Sequence, residues 1–397
     1  MKYIFKFIAI FVFAFPTLTY ADKEKLSGYV ALDLRVFTSD AQFNNQFNGG
    51  QSSLILQPEF SSQTVNGTEK FSFIPFARLD NRDDNRSHAD LREAYWLRSE
   101  EQWNLLVGVN RVFWGVAESN HLVDIINQTD QVDSVNGEEK LGQPMVNITT
   151  EQEWGRLSFF VMPLFRERTY PSEEGRLRSD PVVAQEVQYE SRDEQRHVDL
   201  ALRYSHYIGD WDFGVYYFKG TGREPRFTSN NNRLIAQYDQ IKQVGIDVQF
   251  TSGVWLWKFE GINRLQNNNY FNAMVGGFEY TLYQITNSAA DLGLLLEYMH
   301  DSRNKISAKA PPVETDDDVF LAARLAMNDT QDSEMLLGVV IDRNDHSKVV
   351  SLEIKRRLDN NWKLELESRW FKDTKENTSL SQLKKDSFVA LRLARYF

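Results

Sequence analysis

Cysteine is absent from the 397-residue sequence. No disulfide framework, no thiolate metal site and no Cys-x-x-Cys-His haem attachment can therefore hold or equip the fold. Positive charge is in deficit, with 45 basic against 56 acidic residues and a net charge of −11. Phosphate backbones are bound by clustered Lys and Arg, so nucleic acid is excluded as a partner. The sequence also lacks a glycine-rich phosphate loop and a zinc motif, and no cofactor or metal is expected. Past residue 21 no run approaches the roughly 20 apolar residues of a membrane helix. A negative mean hydropathy still leaves room for a membrane barrel, whose apolar residues occupy every second position.

The first 21 residues carry an export pattern. Lys2 and Lys6 precede an apolar run from Phe7 to Phe15, Pro16 breaks it, and Thr19-Tyr20-Ala21 places small residues at the two recognition positions. The pattern predicts a signal peptide over 1–21, cleaved after Ala21, followed by one domain over 22–397. Loss of two lysines makes the remainder more acidic still.

Beyond that point period-two alternation recurs along the chain. Val30, Leu32, Leu34 and Val36 oppose Asp33 and Arg35. Val198, Leu200, Leu202 and Tyr204 oppose Asp199 and Arg203, and Val244, Ile246, Val248 and Phe250 oppose Gln243, Asp247 and Gln249. The pattern repeats with Trp255, Trp257 and Phe259 against Lys258 and Glu260, and with Leu352 and Ile354 against Glu353 and Lys355. Trp362, Leu364, Leu366 and Trp370 oppose Lys363, Glu365, Glu367 and Arg369. In lipid the apolar set turns outward. The pore-lining candidates are then Asp33, Arg35, Asp199, Arg203, Asp247, Lys258, Glu260, Glu353, Lys355, Glu365, Glu367, Arg369 and Arg392, a mixture of charges that implies water or internal salt bridges.

Short turns (65–68, 99–102, 153–155, 208–210, 251–253, 358–361) alternate with long polar stretches (38–50, 113–143, 166–195, 220–233, 302–317, 372–385). Tight periplasmic turns and long external loops produce this alternation. The prediction is an all-β fold, a transmembrane antiparallel barrel of about 18 strands within a range of 14–18. Hydrocarbon leaves unpaired backbone groups unsatisfied, so the sheet must close. The 9 Trp, 16 Tyr and 27 Phe suffice for interfacial girdles. Phe397 closes a final alternating strand, the pattern of an assembly signal read when a barrel enters the outer membrane of a Gram-negative cell.

The most distinctive stretch holds Leu91-Arg92-Glu93-Ala94-Tyr95, then Val107 to Asp130 with Trp114-Gly115 inside it, then Met162 to Pro171 and Gly175-Arg176-Leu177-Arg178. Over residues 88–180 the chain resembles a family of largely uncharacterised proteobacterial outer-membrane barrels, similar to porins and alginate-export channels. The motif in that family leads from a barrel strand into a loop. Arg111 and Asn127-Gln128-Thr129 depart from the Gln and Asn-Pro of some relatives, so loop details do not carry over.

The stretch 113–143 has two readings, a solvated external loop or a constriction folded into the lumen with Glu118, His121 and Asp124 at its narrowest part. Asn120 to Asn127 is expected to form a short helical turn. Arg166, Arg168, Arg176, Arg178, Arg192 and Arg196 alternate with glutamates and are expected to pair with them. Asp80, Asp83 and Asp84 read as solvated loop charge. Three His-containing triplets, Ser119/His121/Asp124, His300/Asp301/Ser302 and Asp345/His346/Ser347, are the weak basis for an enzyme; none is expected to act. The reading is a porin-like channel passing small solutes, with an outlet or acceptor barrel for an exported polymer or lipid-like cargo as the alternative and an outer-membrane enzyme behind both. Expected partners are outer-membrane lipid and lipopolysaccharide, the barrel-assembly machinery and, under the alternative, periplasmic export components.

Overall fold

Alternation of polar and apolar residues becomes a continuous wall in the computed structural model, which describes residues 21–303, 310–313, 315–376 and 378–397. Of the leader expected over 1–21, only Ala21 falls within the described residues. The first strands are β1 (Ala21–Phe37), β2 (Gly50–Thr64), β3 (Glu69–Asp80), β4 (His88–Ser99), β5 (Trp103–Asn110), β6 (Gln143–Gln152) and β7 (Gly155–Met162). After them come β8 (Val183–Tyr189), β9 (Asp199–Ile208), β10 (Trp211–Thr221), β11 (Arg226–Asn230), β12 (Arg233–Tyr238), β13 (Gln240–Ser252) and β14 (Trp255–Gln266). The chain ends with β15 (Asn269–Leu282), β16 (Asp291–Asp301), β17 (Asp317–Ala326), β18 (Glu334–Asp342), β19 (Lys348–Arg357), β20 (Trp362–Lys372) and β21 (Phe388–Tyr396).

Eighteen of these form one sheet, each antiparallel to its neighbours, and β21 returns to β1 in a register running from Tyr29↔Tyr396 to Phe37↔Phe388. The sheet is thus a closed barrel with no free edge. The other three, β8, β11 and β12, make a small sheet above the wall, with β8 parallel to β12. No helix among the described residues is long and apolar enough to cross a membrane.

The two ends of the barrel differ as the spacing predicts. Eight connections, at 65–68, 100–102, 153–154, 209–210, 253–254, 283–290, 327–333 and 358–361, occupy one end together with the start of β1 and the C-terminus. The opposite end carries the long segments 111–142, 163–198 and 222–239. Three of its connections, 81–87, 267–268 and 343–347, are short and broke the simple alternation read from sequence.

Outward-facing aliphatics are exposed all round the wall, among them Leu32, Leu34, Leu202, Ile246 and Leu294. In water that surface would aggregate; in lipid it is the solvent-facing side. Aromatics gather at the turn end: Trp211 stacks on Phe250 with ring centroids 4.4 Å apart, and Trp255 meets Tyr280 at 4.6 Å. Arg395 lies over Trp362 at the same end, 5.9 Å from its ring centroid. Trp370, paired with Val350, lies towards the other end of β20.

Candidate functional site

The segment 111–142 leaves β5 at the loop end and turns into the barrel. Gly115, at φ +135°, lets the backbone pass Glu260 so closely that an added Cβ would lie 2.8 Å from Oε1. Glu260, on β14, accepts the backbone N–H groups of Val116 (2.7 Å) and Ala117 (2.9 Å) on Oε1 and that of Val123 (3.2 Å) on Oε2. Glu297, on β16, accepts those of Glu118 (2.9 Å) and Ser119 (2.8 Å), and the Ser119 hydroxyl donates to it as well (2.5 Å). The Glu118 carboxylate meets Arg324 of β17 at 2.6 Å. Of the short helical turn expected over Asn120 to Asn127, only one turn closed by the Asp124 N–H on His121 O forms, and the Val123 N–H goes to Glu260.

From there the segment crosses to the other wall. Asn127 accepts from Val112 N and donates to Asn110 O and Leu141 O, each at 2.9 Å, closing the base of the excursion. Asp130 meets Arg92 of β4 (2.8 Å) and His88 (3.0 Å), and accepts from the Thr169 hydroxyl (2.8 Å). Asp133 pairs with Arg78 of β3 and Arg92. Counted around the barrel, β3 and β4 stand on the side opposite β14 to β17. The loop is therefore tied to both walls. Burial alone would raise the Asp130 carboxyl, but the His88 hydrogen bond and the Arg92 charge hold it well below the usual carboxylate range. Burial pushes the His121 imidazole down, and Lys140 adds to this against Asp124, Glu118 and Glu297. Burial likewise raises the Asp124 carboxyl, opposed by Lys140 at 3.1 Å.

Apolar residues fill the space beneath. Trp114, Val123, Ile125 and Ile126 of the loop pack with Met145, Phe160, Tyr216, Phe218, Ile241 and Ile262 of the wall, all buried. This half of the lumen is dry, and charges within it are neutralised: Arg203 holds Asp247 through two bonds of 2.7 and 2.8 Å, and Asp199 takes Arg223 at 2.6 Å. The opposite half, along β18 to β21 and β1, is wet only towards the turn end, because Phe37, Phe371 and Phe388 close its loop end against Leu177 and Val135. There the Lys355 side chain is 46% exposed, Glu367 33% and Arg392 30%. Registers align Glu334, Lys355, Glu365, Arg392 and Asp33 across successive strands, so charge alternates in sign around the inner wall. A cavity of about 200 Å³ between the loop and this wall is lined by Tyr29, Gln57, Arg78, Arg111, Glu139 and Arg392.

The residues picked out by parity thus divide between two environments. Asp199, Arg203, Asp247, Lys258 and Glu260 lie in or beside the packed half. Asp33 and Arg35 are buried on β1, Asp33 beneath Arg78 (3.1 Å) and Arg392 (3.2 Å), and Arg35 over the Phe388 ring. Glu353, Lys355, Glu365, Glu367, Arg369 and Arg392 lie along the wet half. Among the loop candidates, Glu118 points to Lys258 and Arg324, while the half-buried His121 meets the Phe113 ring and Asp124 pairs with Lys140.

Other expectations are corrected. Arg166 and Arg176 do not take the adjacent glutamates but Asp90 (2.6 Å) and Asp386 (2.7 Å), and Arg178 takes backbone carbonyls and Asp180. Asp80 and Asp83 are not solvated; they accept from Ser53, Gln51 and the turn amides of the β3–β4 connection. Ser119 Oγ bonds Glu297 and not His121. Glu297, Arg78, Asp130 and Asp133 were missed. Glu297 stands alone among apolar residues in Leu294-Leu295-Leu296-Glu297-Tyr298, a buried-strand signature with one inward charge that parity could have flagged.

A closed 18-stranded barrel with an apolar exterior, and with a loop folded into a charged lumen, is the architecture of an outer-membrane porin-type barrel. Solved structures with this fold include a BenF-like porin from Pseudomonas fluorescens Pf-5 (TM-score 0.55, 10% identity, 94% of this chain and 97% of that one covered). Wzi of Escherichia coli, described as a carbohydrate-binding β-barrel involved in group 1 capsule assembly, gives 0.54, 10%, 92% and 83%. OccK11 (OpdR) of Pseudomonas aeruginosa gives 0.51, 11%, 94% and 94%. At these identities the likeness is one of fold. No family model matches the sequence, and no curated protein does.

Proposed function

We propose that the protein is a porin-like outer-membrane channel of narrow, off-centre bore, passing small solutes. The observation that carries this reading is the division of the lumen. One half is packed by the clamped loop, and the other retains accessible Lys355, Glu365, Glu367 and Arg392 along a charged wall. An 18-stranded barrel encloses enough space for water once side chains are placed, and alternating charge favours passage of hydrated solutes over apolar ones. Single-channel conductance of the folded protein in a planar bilayer tests it. Discrete steps smaller than those of an unobstructed barrel of this size are expected, with ion selectivity shifted towards cations in Lys355→Glu. Absence of conductance from inserted protein would sink the reading.

The loop clamp also favours a second reading, an acceptor barrel that works at the surface on an exported polymer. The fold shared with Wzi, itself described as carbohydrate-binding, supports it. A sealed barrel that binds polysaccharide would select this alternative.

A further inference from the structure

Outside the lumen, a second cavity of about 500 Å³ lies against the outer wall at the loop end. It is lined by Lys219, Lys242, Leu265 and Asn268, with Glu190 and Arg226 of the overhanging segments above. Lys219 of β10 and Lys242 of β13 are register partners and both face outward. Side chains in such positions have Cβ atoms about 4.5–5.5 Å apart, and like charges so placed repel. Arg226 is neutralised by Asp239 (2.5 and 2.7 Å), and the Glu190 carboxylate accepts the Gln240 N–H (2.6 Å). Neither lysine has an ion-pair partner within 4.0 Å among the described residues, although acidic residues outnumber basic ones in the chain. Glu190 is the one carboxylate lining the groove, so a single acid faces two adjacent ammonium groups and positive charge is left in excess.

Their height on the wall identifies the source of a balancing anion. Trp211 pairs with Phe250 in the aromatic girdle of the turn end, and the same two strands bring Lys219 opposite Lys242 eight positions further along. At roughly 3.4 Å per residue and a strand tilt near 40°, the lysines stand about 20 Å above the girdle. An apolar band is about 25 Å tall, so their backbones stand roughly 5 Å short of its far edge and their long side chains snorkel to the headgroups of that leaflet. Directly below them the outward residues are Tyr217, Val215, Val244 and Ile246, a wall suited to acyl chains.

We infer that this groove binds the phosphate of a phosphorylated glycolipid of the outer leaflet, of the lipid A type. Lys219 and Lys242 straddle the phosphate as charge-assisted donors, and the acyl chains run down β10 and β13. A free inorganic phosphate would share the headgroup chemistry but gain nothing from that wall. The inference rests on the outer-membrane placement in the preceding section and not on conduction, so a sealed barrel would leave it standing.

Titration of the detergent-folded protein with diphosphorylated lipid A and with its dephosphorylated form, followed by native mass spectrometry, tests it. Binding of the phosphorylated lipid at least about tenfold tighter is expected, with the preference lost in Lys219→Gln/Lys242→Gln and kept in Lys219→Arg/Lys242→Arg. Millimolar inorganic phosphate is expected to compete poorly. Equal affinity for the two lipids in the unmodified protein overturns the inference, and this arm needs no variant to fold. An undiminished preference in the glutamine variant also overturns it, as does efficient competition by inorganic phosphate, which would mark a free-anion site.

Discussion

Arg92 is wholly buried on β4, yet it meets three carboxylates, Asp90, Asp130 and Asp133. Parity in the sequence could place such a residue inside the wall but could not name its partners, two of which come from a loop about 40 positions away. The same holds for Asp33, whose inward direction was legible while its contact with Arg392 across the closing seam was not. At His121 the environment makes a pH prediction. Burial lowers the folded-state pKa beneath the ordinary value of about 6.5. The stability contributed by keeping the ring neutral is then complete above 6.5 and is lost as the pH falls through the folded value. Acidification from pH 7 should therefore loosen residues 113–124, read as faster hydrogen exchange of the Val116 to Val123 amides. His121→Gln should flatten that response; an unchanged pH profile in the variant would assign it to another group. The Asp130 limb behaves differently: its pairing with Arg92 persists above the ordinary carboxylate range, while the share that comes from His88, whose pKa Asp130 raises, is lost as the pH rises through the His88 value.

At the scale of the element, strands were readable and the loop's course was not. A strand writes its two faces into alternate residues, so the lipid face and the lumen face follow from a few consecutive positions. The segment 111–142 is held by Glu260 and Glu297, more than 130 residues away, and no local pattern encodes that. Local propensity over-read the segment, since only a single turn at His121 to Asp124 forms and the Val123 N–H goes to Glu260. Hydrogen bonds to a charged acceptor contribute about 1.5–3 kcal/mol each. Glu260→Gln with Glu297→Gln should accordingly free the 113–124 limb, with faster exchange of its amides and larger conductance steps while the barrel still inserts. Unaltered exchange would show that Trp114, Val123 and Ile126 hold the limb by packing alone. The strand face makes its own prediction. Ile246 lies midway between the girdle and the lysine row, and Ile246→Lys should lower folding stability by about 2–4 kcal/mol in a bilayer, measured by denaturant titration in liposomes. A neutral effect would place Ile246 away from the hydrocarbon midplane.

For the whole molecule, closure and an even strand number near 18 were legible, whereas turn spacing left that number within 14–18 because some connections at the loop end are as short as turns. The unequal filling of the lumen was hidden, since it depends on where one loop comes to rest. Closure itself ends at Phe397, whose backbone N–H donates to Gly28 O at 3.0 Å. Deleting Phe397 should slow or prevent assembly, seen as loss of the heat-resistant compact form on electrophoresis. Normal assembly of the truncated chain would remove the terminal aromatic from the process.

The wet half of the lumen runs beside the joint between β21 and β1, whereas the dry half is built from strands β5 to β15. This arrangement ties assembly order to permeability. The filled side can be laid down around the inserted loop while the sheet is still an open ribbon. Under the proposed channel reading, the path beside the seam has no complete wall until the final strand reaches the first, so a nascent barrel would carry its plug but have no conduit to leak through.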